Sequence, residues 1–155
     1  MRLLLQRVRE GRVAIEGKTV ASIGTGLVVL VGFGPDDTAA LRRSRVWSTL
    51  IEKMIGLRIF PDEEGKMNRG IEDFGGEVIL VSQFTLYADC RKGNRPSFTD
   101  AGAPDHANRL YEYFMERCKM HVEKVAHGEF GADMKVELLN DGPFTLMLES
   151  EQLFK

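Results

Sequence analysis

The chain has 155 residues, 43% hydrophobic and 28% charged, an ordinary globular balance that suits one domain with a real hydrophobic core. Its formal net charge of −2 provides no bulk attraction to nucleic acid, so any RNA contact must come from a local basic patch. Two cysteines, Cys90 and Cys118, lie far apart without a paired spacing, which argues against a disulfide scaffold and fits a reducing cytosol.

The opening MRLLLQRVRE is too polar after Leu5 for a signal peptide, and no apolar run approaches the roughly 20 residues of a membrane span. A soluble, cytoplasmic protein folding as a single domain over 1–155 is expected. Leu3 to Val8 and Arg12 to Ile15 read as strands, broken near Glu10-Gly11. Glu16-Gly17-Lys18 is a turn, and Thr19 to Ile23 resumes the alternation; hairpins with short turns are the strongest local β signal in the chain. After a turn at Gly24-Thr25-Gly26, Leu27 to Val31 is a continuous apolar run, too short for a helix and rich in branched residues, hence a buried strand. Asp36-Asp37-Thr38 then offers helix N-caps. Val46, Leu50 and Met54 recur every fourth residue beside Trp47 and Ile51. This predicts a helix from Thr38 to Ile55 whose opposite face carries Arg42, Arg43 and Arg45.

Leu57 to Phe60 is predicted as a short strand, Pro61 to Lys66 as a turn, and Lys66 to Gly76 as irregular chain. The next stretch, EVILVSQFTLYAD from Glu77 to Asp89, organises the rest. Its apolar run Val78-Ile79-Leu80-Val81 changes abruptly into Ser82-Gln83-Phe84-Thr85. Two hydroxyls and an amide beside an aromatic ring cost free energy if buried without partners. Either neighbouring backbone satisfies them or they face a ligand pocket, and the residues alone leave both open. Cys90 to Pro104 is a loop rich in Gly, Pro, Ser and Asn. Pro104 starts a second helix with Ala107, Leu110, Tyr111, Phe114 and Cys118 on its apolar face. Val122 to Val125 is a further strand, His127 to Ala132 a glycine-punctuated turn, and Met134 to Leu139 a strand. Asn140-Asp141-Gly142-Pro143 is a turn, and Phe144 to Leu148 the last strand. Many short strands with two main helices predict an α+β fold with a strongly curved, barrel-like sheet.

Several chemistries can be weighed on these residues. Gly32-Phe33-Gly34 after a strand looks like half a dinucleotide fingerprint, but the third glycine is missing. Asp36 and Asp37 also sit where a pyrophosphate would rest, and carboxylates repel it there. His106, His121, His127, Cys90 and Cys118 lack any paired ligand spacing, so no metal or organic cofactor is expected. Ser82 and Thr85 are hydroxyls at a strand end, yet no G-x-S-x-G elbow and no histidine nearby in sequence supplies a base. Bonding to local backbone is the common fate of such hydroxyls. Arg91, Lys92 and Arg95, with Asn94 and Phe98 among them and with Arg42, Arg43 and Arg45 added by the helix, form either a solvated surface or a rim that positions phosphates.

Three motifs together carry a resemblance: SQFTLYAD (Ser82 to Asp89), KGNRPSF (Lys92 to Phe98) and NDGPFT (Asn140 to Thr145). They closely resemble the D-aminoacyl-tRNA deacylase family, as do MRLLLQRV, LRIF…DEEGKMN and GEFGADM, in the family's order over essentially the whole chain. The resemblance implies a homodimer of barrel-like subunits that hydrolyses the ester joining a D-amino acid to the terminal adenosine of tRNA. It also implies clearance of glycine mischarged on tRNA. A cis Gly142-Pro143 would reach into the partner subunit's pocket and hold the substrate's α-amino group, leaving no room for an L side chain. Arg7 matches the arginine that braces this turn. Ser82, Gln83, Phe84 and Thr85 would line the catalytic pocket, with backbone N–H groups near Phe84 and Thr85 facing the oxyanion. Ala132 and Met134 match pocket-wall positions, and Arg91, Lys92 and Arg95 would touch tRNA. Thr85 resembles a nucleophile, but the reading favoured here has the tRNA's terminal 2′-hydroxyl activating water while the protein orients and stabilises. One departure stands out: Asn68 is followed by Arg69-Gly70 where the family has a hydrophobic residue and serine. A non-catalytic RNA-binding module and a Thr85-nucleophile esterase are the alternatives.

Overall fold

The computed structural model describes residues 1–153. Strand β1 (Arg2–Ile15) is its spine, followed by β2 (Lys18–Ile23) and β3 (Gly26–Gly32). Helix α1 (Arg45–Gly56), a small hairpin of β4 (Phe60–Pro61) and β5 (Met67–Arg69), and the single-turn α2 (Ile71–Phe74) lead to β6 (Glu77–Ser82). Helix α3 (Pro104–Cys118), β7 (Val125–His127), β8 (Met134–Glu149) and α4 (Ser150–Leu153) complete the chain.

The sheet runs β2-β1-β3-β6-β7, with β8 on the other edge of β1. One edge of β1 is divided: Arg2 to Val8 pairs with β3, and Gly11 to Ile15 with β2, both antiparallel. β8 lines the opposite edge, also antiparallel, while β3-β6 and β6-β7 are parallel. β2 approaches β6 and β7, which bends the sheet toward closure. This is the α+β, barrel-like architecture expected from the pattern of short strands.

Curvature gives the sheet two cores. Its convex face, with Leu3, Leu5, Leu27, Val29, Val31, Val78 and Leu80, packs under α1 and α3. Its concave face holds Val8, Val13, Ala21, Ile23, Val28, Ile79 and Val81. Strands β3 and β6 are therefore buried on both faces, which is why they read as unbroken apolar runs rather than alternations. On the helical side Trp47 meets Phe114 edge-on at 5.8 Å, and the Tyr111 hydroxyl donates to the Leu80 carbonyl at 2.8 Å.

Several boundaries differ from expectation. β1 does not break at Glu10-Gly11. Val8 pairs with Asn140 and Gly11 with Leu138, so β1 carries one extra residue there. Before that bulge the odd positions Leu3 and Leu5 face one core and the even Val8 the other; beyond it the odd Val13 joins Val8. Gly11 sits there because a Cβ would come within 2.9 Å of Val28 Cγ2 on the tight concave side. The helix predicted from Thr38 starts at Arg45. Ala39–Arg43 is a 3-10 helix, and Ser44 is extended and caps α1, its hydroxyl accepting from the Trp47 amide at 3.3 Å. Asp37 is occupied elsewhere: its Oδ2 accepts from Gly34 N at 2.7 Å and faces the Met1 ammonium at 2.8 Å.

The strand predicted at Leu57 to Phe60 shrinks to Phe60–Pro61 and pairs with β5, within the segment expected to be irregular. Asp62 organises that hairpin, its Oδ1 accepting from the Glu64 and Lys66 amides and its Oδ2 from the Asn68 side chain. The strand expected at Val122 to Val125 lies instead at Val125–His127, in parallel register with Val78 to Leu80. Finally, Asn140 to Pro143 is not a turn between two strands. Gln6 pairs with Thr145 and Val8 with Asn140, so Asp141 to Phe144 bulge from one continuous strand opposite the single residue Arg7.

Burial pushes the Cys118 thiol up to about 12, whereas Cys90 is exposed. An aromatic disulfide reagent at neutral pH is therefore expected to titrate Cys90 alone in the native protein, and both thiols after denaturation.

Candidate active site

Ser82 ends β6 opposite Val31 of β3, and the Gln83 amide continues the ladder by donating to the Val31 carbonyl at 2.8 Å. The chain then winds into a 3-10 helix, Phe84–Tyr87. Arg2 holds its far end: Nη1 donates to the Leu86 carbonyl at 2.8 Å, and the guanidinium lies 4.4 Å from the centroid of the Tyr87 ring. At the near end, no acceptor among the described residues takes the Phe84 or Thr85 backbone N–H. A helix start leaves such groups without an intrahelical partner.

Ser82, Gln83 and Phe84 face a cavity of about 670 Å³ between the ends of β3 and β6, the N-terminus of α3 and the segment entering β8. Val31, Phe33, Phe130, Met134 and Val136 give it apolar walls, and Ala103, Pro104 and Ala107 form the α3 side. Phe84 and Phe98 meet edge-on at 5.1 Å. They remain 57% and 40% exposed, so two aromatic faces are open to a flat ligand at the mouth. The size and mixed lining are those of a small-molecule or nucleotide-end site.

Of the residues singled out in the sequence, Ser82, Gln83, Phe84, Ala132 and Met134 meet in this cavity. Thr85 lies beside it rather than in its lining, exposed, its Oγ1 accepting from the Gln83 side-chain amide. No histidine or carboxylate bonds to Thr85 among the described residues. Phe33, Phe130 and Asp133 line the cavity and Arg2 positions the 3-10 helix, none of which was singled out as a site residue in the sequence. They lie on segments read as turns or strand edges, where pattern carries no signal for a pocket wall. Among the described residues no group of three or more His, Cys, Asp or Glu could hold a metal ion.

Gly142 and Pro143 do not line this cavity within the same chain. They form the bulge of β8, with a cis peptide between them and a Gly142 φ of 134° that disfavours any side chain. Arg7 braces the bulge from beneath. It is only 6% exposed, and it donates from Nε to the Asp141 carbonyl at 3.0 Å and from Nη1 to the Ile59 carbonyl at 2.6 Å. The Phe144 ring centroid lies 5.0 Å from its guanidinium carbon. Asn140 closes the bulge, its Oδ1 accepting from Phe144 N at 2.7 Å.

The basic loop after the site is only partly free. Asp89 and Ser97 exchange backbone hydrogen bonds at its base. Arg91 folds back on Asp89, donating from Nε at 2.8 Å and Nη2 at 2.7 Å, and holds that carboxyl down to about 2. This pairing is present above the ordinary carboxyl range near 3.9 and fades as the pH falls through about 2. Lys92 and Arg95 are exposed and make no ion pair among the described residues.

A family model described as D-Tyr-tRNA(Tyr) deacylase matches residues 4–149. The chain belongs to this family. A D-aminoacyl-tRNA deacylase of Thermosipho africanus is 52% identical over 154 residues, covering 99% of this chain and 100% of that protein. Another, from Heliobacterium modesticaldum, is 56% identical over 149 residues, covering 96% of each. A solved structure described as c-Myc DNA Unwinding Element Binding Protein superposes with a TM-score of 0.87 at 36% identity, over 96% of this chain and 98% of that one. The match thus spans the residues of the sheet, cavity and bulge rather than one motif.

Within this deacylase-family fold Arg7→Ala strands the Ile59 and Asp141 carbonyls. It is expected to cost about 2–4 kcal/mol, read from the urea midpoint at unchanged m-value.

Proposed function

We propose that this chain hydrolyses the ester of D-aminoacyl-tRNA to free D-amino acid and tRNA and spares the L-aminoacyl ester. It is a carboxylic ester hydrolase. The observation that carries this is the cavity at the end of β6. A strand terminus presents Ser82 and Gln83, unpartnered N–H groups and an open aromatic pair in one place, in a chain that matches D-aminoacyl-tRNA deacylases over nearly its full length.

In this reading the terminal adenine stacks on Phe84, and the aminoacyl ester enters the cavity. Water adds to the ester carbonyl carbon, and its proton passes to the tRNA's terminal 2′-hydroxyl and on to the departing ribose oxygen. The negative charge that develops on the carbonyl oxygen meets the Phe84 and Thr85 N–H groups. Thr85 then contributes backbone and pocket wall rather than a nucleophile, consistent with its lack of a base. An aminoacyl ester is already reactive, so orientation and oxyanion donors suffice as the protein's share.

Chirality is assigned to a second copy of the chain. Gly142 and Pro143 project from β8 without lining their own chain's cavity, and β8 exposes Leu139 and Met147 besides the cavity-lining Val136. A two-fold homodimer would cover exposed apolar side chains of β8 and insert each bulge into the partner's pocket. Backbone carbonyls of Gly142 and Pro143 would hold the α-amino group, and the crowded space would reject an L side chain while passing achiral glycine, so glycyl-tRNA is a substrate too. Lys92 and Arg95, with Arg91 when released from Asp89, would meet the tRNA backbone. The site of action is the cytoplasm, and no metal or cofactor takes part.

Comparing hydrolysis of D- and L-aminoacyl-tRNA by the purified protein is the direct test. Turnover of the D ester alone is expected, and equal rates on the two stereoisomers would overturn chiral selection. Thr85→Ala is expected to keep substantial activity, while tRNA ending in 2′-deoxyadenosine is hydrolysed poorly. A folded, tRNA-binding Thr85→Ala protein with no turnover would instead support the nucleophile. Arg2→Ala, which frees the far end of the 3-10 helix, is expected to lower kcat by about tenfold or more with little change in KM.

A further inference from the structure

We infer that the 3-10 helix Ala39–Arg43, the start of α1 and the outer face of α3 form a second RNA-contacting surface. It takes the phosphate backbone of the tRNA's acceptor duplex while the 3′ end occupies the cavity. The inference rests on the tRNA reading above and extends it from the cavity to the outer side of the helices.

The surface is built from arginines without partners. Arg2, Arg7, Arg9, Arg12, Arg69 and Arg91 each face a carboxylate within the chain. Arg42, Arg43, Arg45 and Arg109 face none among the described residues, a state they share with Arg58, Arg95 and Arg117 elsewhere on the chain. This happens in a chain with 23 acidic against 21 basic residues, where carboxylates are plentiful. Arg43, Arg45 and Arg109 are exposed.

Arg42 ties the 3-10 helix to α3. The guanidinium carbon of Arg42 lies 4.3 Å from the centroid of the Tyr113 ring on α3, and Tyr113 is 42% exposed. Stacking holds the guanidinium plane while leaving its N–H edges to solvent, which suits a phosphate. His106, Arg109 and Tyr113 follow at i, i+3 and i+7, so they share the outer stripe of α3. Three carboxylates, Asp105, Glu112 and Glu116, also lie on this helix, and Lys119 occupies Glu116 at 2.8 Å.

The stripe begins at the cavity. Ala103, Pro104 and Ala107 of α3 line it, and Tyr113 stands nine residues along the helix from Pro104, about 14 Å at 1.5 Å per residue. A nucleic acid whose end is held at Phe84 and whose body leaves past α3 would meet Arg109, then Arg42, Arg43 and Arg45. Contacts of this kind position the duplex and carry no sequence information, as suits an enzyme that must accept many tRNAs.

The test is fluorescence anisotropy of uncharged tRNA with the full chain between about 50 and 200 mM KCl. Arg43→Ala/Arg45→Ala and Arg42→Ala/Arg109→Ala are each expected to weaken binding about tenfold at low salt. Each should also flatten the slope of log affinity against log salt by roughly 2. The Arg43→Lys/Arg45→Lys protein keeps its charges and should keep the slope. A single-stranded oligonucleotide of the tRNA 3′ end should bind the wild-type and Ala proteins alike. Wild-type slopes in both Ala double variants, absence of tRNA binding by the wild-type protein, or equal losses on the short oligonucleotide would overturn this surface. Wild-type hydrolysis of D-aminoacyl-tRNA is measured in parallel. Its absence alongside flattened slopes would overturn the deacylase reading and leave the surface standing, whereas normal hydrolysis with unchanged slopes removes the surface alone.

Discussion

The backbone ladder of β1 is the constraint from which the rest follows. Over Arg2 to Ile15 its two edges must satisfy three strands. β2 and β3 share one of those edges end to end, β8 follows the whole of the other, and β2 also approaches β6 and β7, which a flat sheet would not allow. The solution is a bend at the bulge near Glu10, across which the odd positions of β1 change core. Bending creates a concave interior too narrow for a side chain at Gly11. It also leaves β3 and β6 ending together, with the ladder stopping at the Gln83 amide, and the cavity opens at that shared end. The site is thus a by-product of how β1 divides its hydrogen bonds.

Much of this was readable from residue pattern because burial on two faces leaves a strong trace. Leu27 to Val31 and Val78 to Val81 were identifiable as buried strands, and the apolar faces of α1 and α3 declared themselves by spacing. The abrupt polar change after Val81 marked the place where the cavity lies. What resisted reading were features decided by distant partners. Asp37 resembled a helix cap in sequence but answers to the Met1 ammonium and the Gly34 amide. Asn140 to Pro143 had every mark of a hairpin turn, and only the pairing of both flanks with β1 makes it a bulge. Arg2 carried no signal at all, because its partner Leu86 is 84 residues away.

The same division applies to charge. Arg91 and Arg42 are both arginines in basic stretches, equivalent by composition. In the fold one is neutralised by Asp89 and the other stacks on an aromatic ring with its edges free. Arg7 is a third case, its charge almost wholly withdrawn from water and matched by carbonyl oxygens, so it acts as a structural strut. Net charge near zero therefore hides an uneven surface, and the local environment of each guanidinium decides whether it holds the protein together or remains available to something else.

The β8 bulge has a consequence apart from any ligand. β8 borders the sheet with one paired edge, and a sixteen-residue border strand is the kind of template onto which stray chains add, as in fibril growth. Here the template is interrupted. Asp141 to Phe144 leave the strand line, Pro143 has no amide hydrogen to offer, and Lys135 and Glu137 place charges along the first half. A foreign strand could follow the border for only a few residues on either side before losing register. The kink that presents Gly142 and Pro143 also serves as a gatekeeper, keeping a long open border from seeding aggregation.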